Sequence, residues 1–124
     1  MGFCTVVNCM DGRVQEPVIE FLEKRFNCEY VDCITEPGPV KILAEHDDKQ
    51  LLEHLTNMIN ISVNKHKSVS VSIVAHFDCA GNPLPEDKQK IQLESAVSYV
   101  SGLYPDIEVI GLWVGQDWKV TEVC

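Results

Sequence analysis

The chain has 124 residues, 45% hydrophobic and 23% charged, a balance that predicts a single globular domain with one core and excludes collagen-like, low-complexity and disordered classes. Ten Lys and Arg against nineteen Asp and Glu give a net charge of −9, a field that repels phosphate backbones and anionic membranes, so neither nucleic acid nor membrane is an expected partner. With no apolar run near the ~20 residues of a membrane span and Asp11 and Arg13 where a signal sequence is apolar, a cytoplasmic protein is expected.

In chain order, Phe3 to Asn8 (FCTVVN) is short and β-branched and reads as a strand, closed by the loop Cys9-Met-Asp-Gly-Arg13. Pro17 suits the first turn of a helix, and Val18, Phe21, Leu22 and Phe26 follow at helical spacing. Tyr30 to Ile34 reads as a second strand ending at the punctuation Pro37-Gly38-Pro39. Leu51, Leu52, Leu55, Met58 and Ile59 form the stripe of a long helix behind the candidate caps Asp47 and Asp48, ending before Lys67. Val69 to Ala75 is a strand of the sheet interior that terminates at His76. Ile91, Leu93, Ala96, Val97 and Val100 mark the next helix, stopped at Gly102 to Pro105, and Ile107 to Val114 is a fourth strand. The tail from Trp118 to Val123 predicts a short fifth strand at an edge.

Strands separated by helices predict an α/β fold of three layers, with a mostly parallel sheet of four to five strands in the order 2-1-3-4, a possible antiparallel edge strand, and helices on both faces. In that order the connections from strands 1 and 3 leave in opposite directions and open a crevice at their carboxyl ends. Cys9 closes strand 1 and His76 closes strand 3, so both face that crevice.

Six cysteines stand at 4, 9, 28, 33, 79 and 124; without a secretory signal, thiols or metal ligands are expected rather than disulfides. Cys9, His76 and Cys79 have two readings. They are small core residues and a hydrogen-bonded strand end, or they are a three-ligand zinc set with an open fourth position; the shared crevice favours the metal. Asp11 and Arg13 are spaced for a charge-assisted pair beside it, able to keep a carboxylate off the open position. Cys4 reads as core, Cys28 and Cys33 as packing residues of strand 2 rather than a redox pair, Cys124 as a terminal thiol, and His46, His54 and His66 as surface. Trp113 and Trp118 read as core and edge cover, or as lining of a subunit interface.

Cys9-Met-Asp11-Gly-Arg13 resembles the Cys-x-Asp-Ser-Arg motif of β-class carbonic anhydrases, and His76-Phe-Asp-Cys79 resembles their His-x-x-Cys motif, each in a strand-to-loop context. The resemblance identifies residues 1–124 as a single carbonic anhydrase-like domain. It implies Zn2+ held by Cys9, His76 and Cys79, with Asp11 and Arg13 as the catalytic candidates: Asp11 orients the zinc-bound water or takes its place, and Arg13 restrains Asp11. It implies a lyase in which zinc-bound hydroxide attacks CO2 to give bicarbonate, or attacks a related heterocumulene such as COS or CS2. A non-catalytic zinc-binding regulatory or interaction domain of the same fold is the alternative. The chain is shorter than those enzymes and begins at strand 1, without their N-terminal arm. Gly12 replaces the motif's Ser, Ala80 follows Cys79, and Glu36-Pro-Gly-Pro39 stands where those enzymes carry Arg-Asn-Ala-Gly. The Trp-bearing end strand and tail predict a homodimer.

Overall fold

The computed structural model describes residues 2–124. Five strands form one sheet in the order β2-β1-β3-β4-β5: β1 Phe3–Cys9, β2 Tyr30–Glu36, β3 Ser70–His76, β4 Glu108–Val114 and β5 Val120–Glu122. The first four are mutually parallel, and β5 runs antiparallel to β4 with Trp113 opposite Thr121. The order expected from the alternation of strands and helices is the order observed, and the tail supplies the edge strand.

The helices are α1 Gln15–Phe26, α2 Pro39–Glu45, α3 Lys49–Asn60 and α4 Glu86–Leu103. Alternation along β1 feeds two cores. Cys4 and Val6 join Val14, Val18 and Leu22 of the α1 side, whereas Val7 joins Val40, Leu43, Leu55, Ile59 and Leu93 of the α2–α3–α4 side. The strand of the sheet interior, β3, is buried along its whole length, as a strand covered on both faces must be. Among the described residues no helix is long and apolar enough to cross a membrane.

Three details differ from the sequence reading. The helix assigned to start at Pro17 starts at Gln15, because a proline within the first turn removes an N–H that has no intrahelical partner. Pro37-Gly38-Pro39 is more than punctuation: Gly38 adopts φ 56°, and Pro39 begins α2, whose Val40 and Leu43 are buried. The long helix ends in a π-helical segment, Ile61–Lys65, behind α3.

α1 covers one face of the sheet and α4 the other. The connections from β1 and β3 therefore part at their carboxyl ends, the topological switch point of such sheets.

Candidate metal centre

Cys9 ends β1 and His76 ends β3, and the loop after β3 brings Cys79 back toward them. Asp78 makes the turn in the left-handed region at φ 57°, a conformation that Asp tolerates better than most residues. One donor atom from each of Cys9, His76 and Cys79 lies within 4.8 Å of the others, and all three residues are buried. The Sγ atoms of Cys9 and Cys79 are 3.8 Å apart.

The surroundings prepare each donor. The His76 Nδ1 donates to the Phe77 carbonyl at 2.7 Å, which leaves Nε2, a buried nitrogen without a hydrogen-bond partner, as the ring atom available to a metal. A carbonyl on the far ring nitrogen is the usual support of a ligating imidazole. Backbone N–H groups of Gly38 and Asp11 face the Cys9 sulfur, and those of Gly81 and Asn82 face the Cys79 sulfur. The Cys79 thiol donating to Cys9 is the largest cause holding Cys9 below its ordinary pKa, reinforced by His76 against the opposing effect of burial. Cys79 is pushed up by that same contact and by burial. Burial works against protonation of His76, but the nearby Cys9 sulfur and the Phe77 carbonyl outweigh it and raise the imidazole. Two sulfurs and one imidazole this close together, the imidazole with an unpartnered nitrogen, are a donor set for a metal ion.

Asp11 follows Cys9 in the same loop, and both of its carboxylate oxygens are engaged by Arg13. Its Oδ1 accepts from the Arg13 backbone N–H at 2.9 Å and from Nε at 3.0 Å, and its Oδ2 accepts from Nη2 at 2.7 Å. The Arg13 side chain hydrogen-bonded to it is the largest cause lowering the Asp11 carboxyl to about 2. Arg13 is itself held on three sides: Nη1 reaches the Asp78 carboxylate at 3.3 Å, Nη2 the Asp78 carbonyl at 3.2 Å, and the guanidinium lies 4.5 Å from the centre of the Trp118 ring. Gln15 clamps the base of the loop, donating to the carbonyls of Cys9 at 2.7 Å and Asp11 at 2.8 Å. Buried Gln89 does the same for β3, donating to the His76 carbonyl at 2.9 Å.

A glycine contact locks the loops after β2 and β3 together. A Cβ on Gly81 would stand 2.6 Å from the Pro37 carbonyl carbon, and one on Gly38 2.8 Å from the Asn82 Cβ. The segment Glu36-Pro-Gly-Pro39 thus carries a structural role at the site. At Gly12 a Cβ would meet nothing within 4 Å, so the packing leaves room for a side chain at the position of the motif's serine.

A protein-family profile described as "Putative carbonic anhydrase" matches residues 1–124, the whole chain. The chain belongs to this family. Two solved structures share its fold: the carbonic anhydrase from Glaciozyma antarctica, with TM-score 0.61 and 12% identity over 98% of this chain and 81% of that one, and one of two tetrameric β-carbonic anhydrases from the filamentous ascomycete Sordaria macrospora, with TM-score 0.60 and 12% identity over 98% of this chain and 80% of that one. No curated protein sequence matches the chain.

All five residues singled out in this carbonic anhydrase-family chain, Cys9, Asp11, Arg13, His76 and Cys79, come together at one end of the sheet. Of the remaining candidates, Trp113 is core and 5% exposed, while Trp118 is the platform under Arg13. His46 is half-buried rather than surface: it closes α2 and its Nε2 contacts the Leu43 carbonyl at 2.7 Å. His66 is exposed and pairs with Asp32 at 2.6 Å. Sequence reasoning missed Gln15, Gln89, Asp78 and the Gly38–Gly81 contact. Asp78 stood inside the quoted motif; the two glutamines carry no local signal, since only the fold turns them inward.

Proposed function

We propose that the chain is a zinc-dependent carbonic anhydrase that converts CO2 and water into bicarbonate and a proton, with Cys9, His76 and Cys79 as the zinc ligands. The convergence of three buried donors, with a neighbouring carboxylate engaged by Arg13, carries this reading. Thiolate and imidazole suit Zn2+, which binds both in three-ligand catalytic sites. Zinc held there supplies Lewis acidity, which makes hydroxide available near neutral pH by lowering the pKa of water from about 15.7 to about 7.

The protein's own residues do the rest. The N–H groups of Gly38, Asp11, Gly81 and Asn82 stabilise the two sulfurs as thiolates, and Phe77 orients His76. Arg13 keeps Asp11 ionised and its carboxylate fixed, so Asp11 acts only as a hydrogen-bond acceptor and orients a water for attack on the carbon. Its engagement by Arg13 supports a catalytic site over a closed, non-catalytic one, because a carboxylate bound by two guanidinium nitrogens and a backbone N–H is not free to fill a fourth position.

In this reading the protein works in the reducing cytoplasm, where thiolate ligands persist, and as a homodimer. Met10 and Phe77 directly follow the ligands Cys9 and His76, and Leu84 lies further along the chain after Cys79; the three are 61%, 40% and 41% exposed, apolar surface that a second copy would cover. Stopped-flow CO2 hydration by the zinc-loaded protein tests the proposal: turnover well above the buffer rate, lost in His76→Ala, is expected. A zinc-replete protein that leaves the hydration rate at the buffer value overturns it.

A further inference from the structure

Outside the metal centre a second pair of thiols meets in the interior. Cys4 lies on β1 and Cys28 in the turn between α1 and β2, and their Sγ atoms approach to 2.6 Å. That is closer than the 3.8 Å between Cys9 and Cys79 and about 0.6 Å beyond a disulfide bond. Both are free thiols; Cys4 is fully buried and Cys28 is 7% exposed. The sequence reading set Cys28 beside Cys33, but Cys33 is exposed on the edge strand. The backbone holds the pair in place from both sides: the N–H groups of Glu29 and Tyr30 donate to the Gly2 carbonyl at 2.8 and 3.0 Å, and Asn27 ends α1 in the left-handed region at φ 50°.

We propose that Cys4 and Cys28 are a reversible redox pair that closes to a disulfide when the protein meets a peroxide. Cys28, the residue of the pair with some exposure, attacks one oxygen of hydrogen peroxide; the O–O bond breaks, the leaving hydroxide takes the thiol proton as water, and Cys28 becomes a sulfenic acid, oxidised by two electrons as the peroxide is reduced. Cys4 then attacks the Cys28 sulfur, the S–O bond breaks, and hydroxide leaves with the Cys4 proton as a second water. Burial holds the Cys4 thiol above its ordinary pKa, which disfavours its thiolate, so the second step rests on the closeness of the two sulfurs. The bond would tie β1 to the start of β2 across α1. It is independent of the metal centre, since none of its atoms is a ligand, but the same α1-side core contains Cys4, Cys28, Cys9 and Cys79.

Differential alkylation and peptide mass mapping of the zinc-loaded chain, in a Cys33→Ser/Cys124→Ser background, test the pair. After stoichiometric hydrogen peroxide, fragment spectra are expected to show Cys4 linked to Cys28, with Cys9 and Cys79 still alkylatable after zinc removal. The oxidised protein should melt about 10 °C higher than the reduced one, because a cross-link over a loop of this length restricts the unfolded chain. Dithiothreitol should reverse the shift, and Cys28→Ala should abolish it. Peroxide that links Cys9 to Cys79 while Cys4 and Cys28 remain free thiols, or that stops at sulfinic acid on Cys28, overturns the proposal; the mapping does not depend on any variant of the pair folding.

Discussion

Arg13 decides what Asp11 can do. Its guanidinium spans Asp11 and Asp78 and rests on Trp118, so one side chain fixes two carboxylates and covers the edge of the site. Arg13→Ala should free Asp11 to turn onto the metal, leaving zinc bound while CO2 hydration falls by about 10–100-fold, the usual cost of removing a residue that orients a metal's surroundings. A crystal structure of the variant with turnover measured in parallel checks this; an unchanged Asp11 and full activity would reduce the pair to surface decoration. The same contact has a pH signature. Asp11 is held at about 2 against an ordinary 3.8, so its contribution to stability is present above the higher value and is lost as pH falls toward the lower one. Carbon-13 NMR of the Asp11 carboxyl should titrate near 2, and Arg13→Ala should return the midpoint toward 3.8. A midpoint already near 3.8 in the unaltered protein would show that the ion pair does not persist in solution.

At the scale of elements, the loops after β1, β2 and β3 are held by backbone packing as much as by side chains. Gly81→Ala should destabilise the fold by about 1–3 kcal/mol, because its Cβ would overlap the Pro37 backbone, which cannot rotate away, and should weaken zinc binding by displacing the Cys79 loop. Gly12→Ala, in open space, should stay within about 0.5 kcal/mol. Urea denaturation of both variants, with zinc affinity measured alongside, makes the comparison; equal stabilities would remove the glycine contact from the account. The strands and their order were legible because each is bounded by turn residues and separated from the next by a helical stripe. The candidate metal donors were legible because two short motifs end two strands that must be neighbours. α2 was not legible: it is only seven residues long, and Pro39, which begins it, is the residue that elsewhere ends a helix. The roles of Gln15 and Gln89 were hidden for a different reason, since a glutamine within a helix looks like surface until the opposing strand end supplies a carbonyl.

For the whole molecule, two cores on either side of one sheet support a site built entirely at one end of it. Leu22, fully buried on the α1 side, packs in the same core as Cys9 and Cys79; Leu22→Ala should cost about 2–5 kcal/mol in thermal or urea unfolding. The exposed apolar side chains of Met10, Phe77 and Leu84 predict a dimer by sedimentation at micromolar concentration, weakened by Phe77→Asp, and a monomer at all concentrations would reject that association. Cys9, His76 and Cys79 together form the proposed metal centre. Zinc content per chain, measured by plasma mass spectrometry on purified protein and its variants, tests it most directly. About one zinc in the unaltered chain, retained in Cys28→Ser and Cys124→Ser and lost in folded Cys9→Ser, His76→Ala and Cys79→Ser, is the expected result. The same zinc content in all of these variants would contradict it.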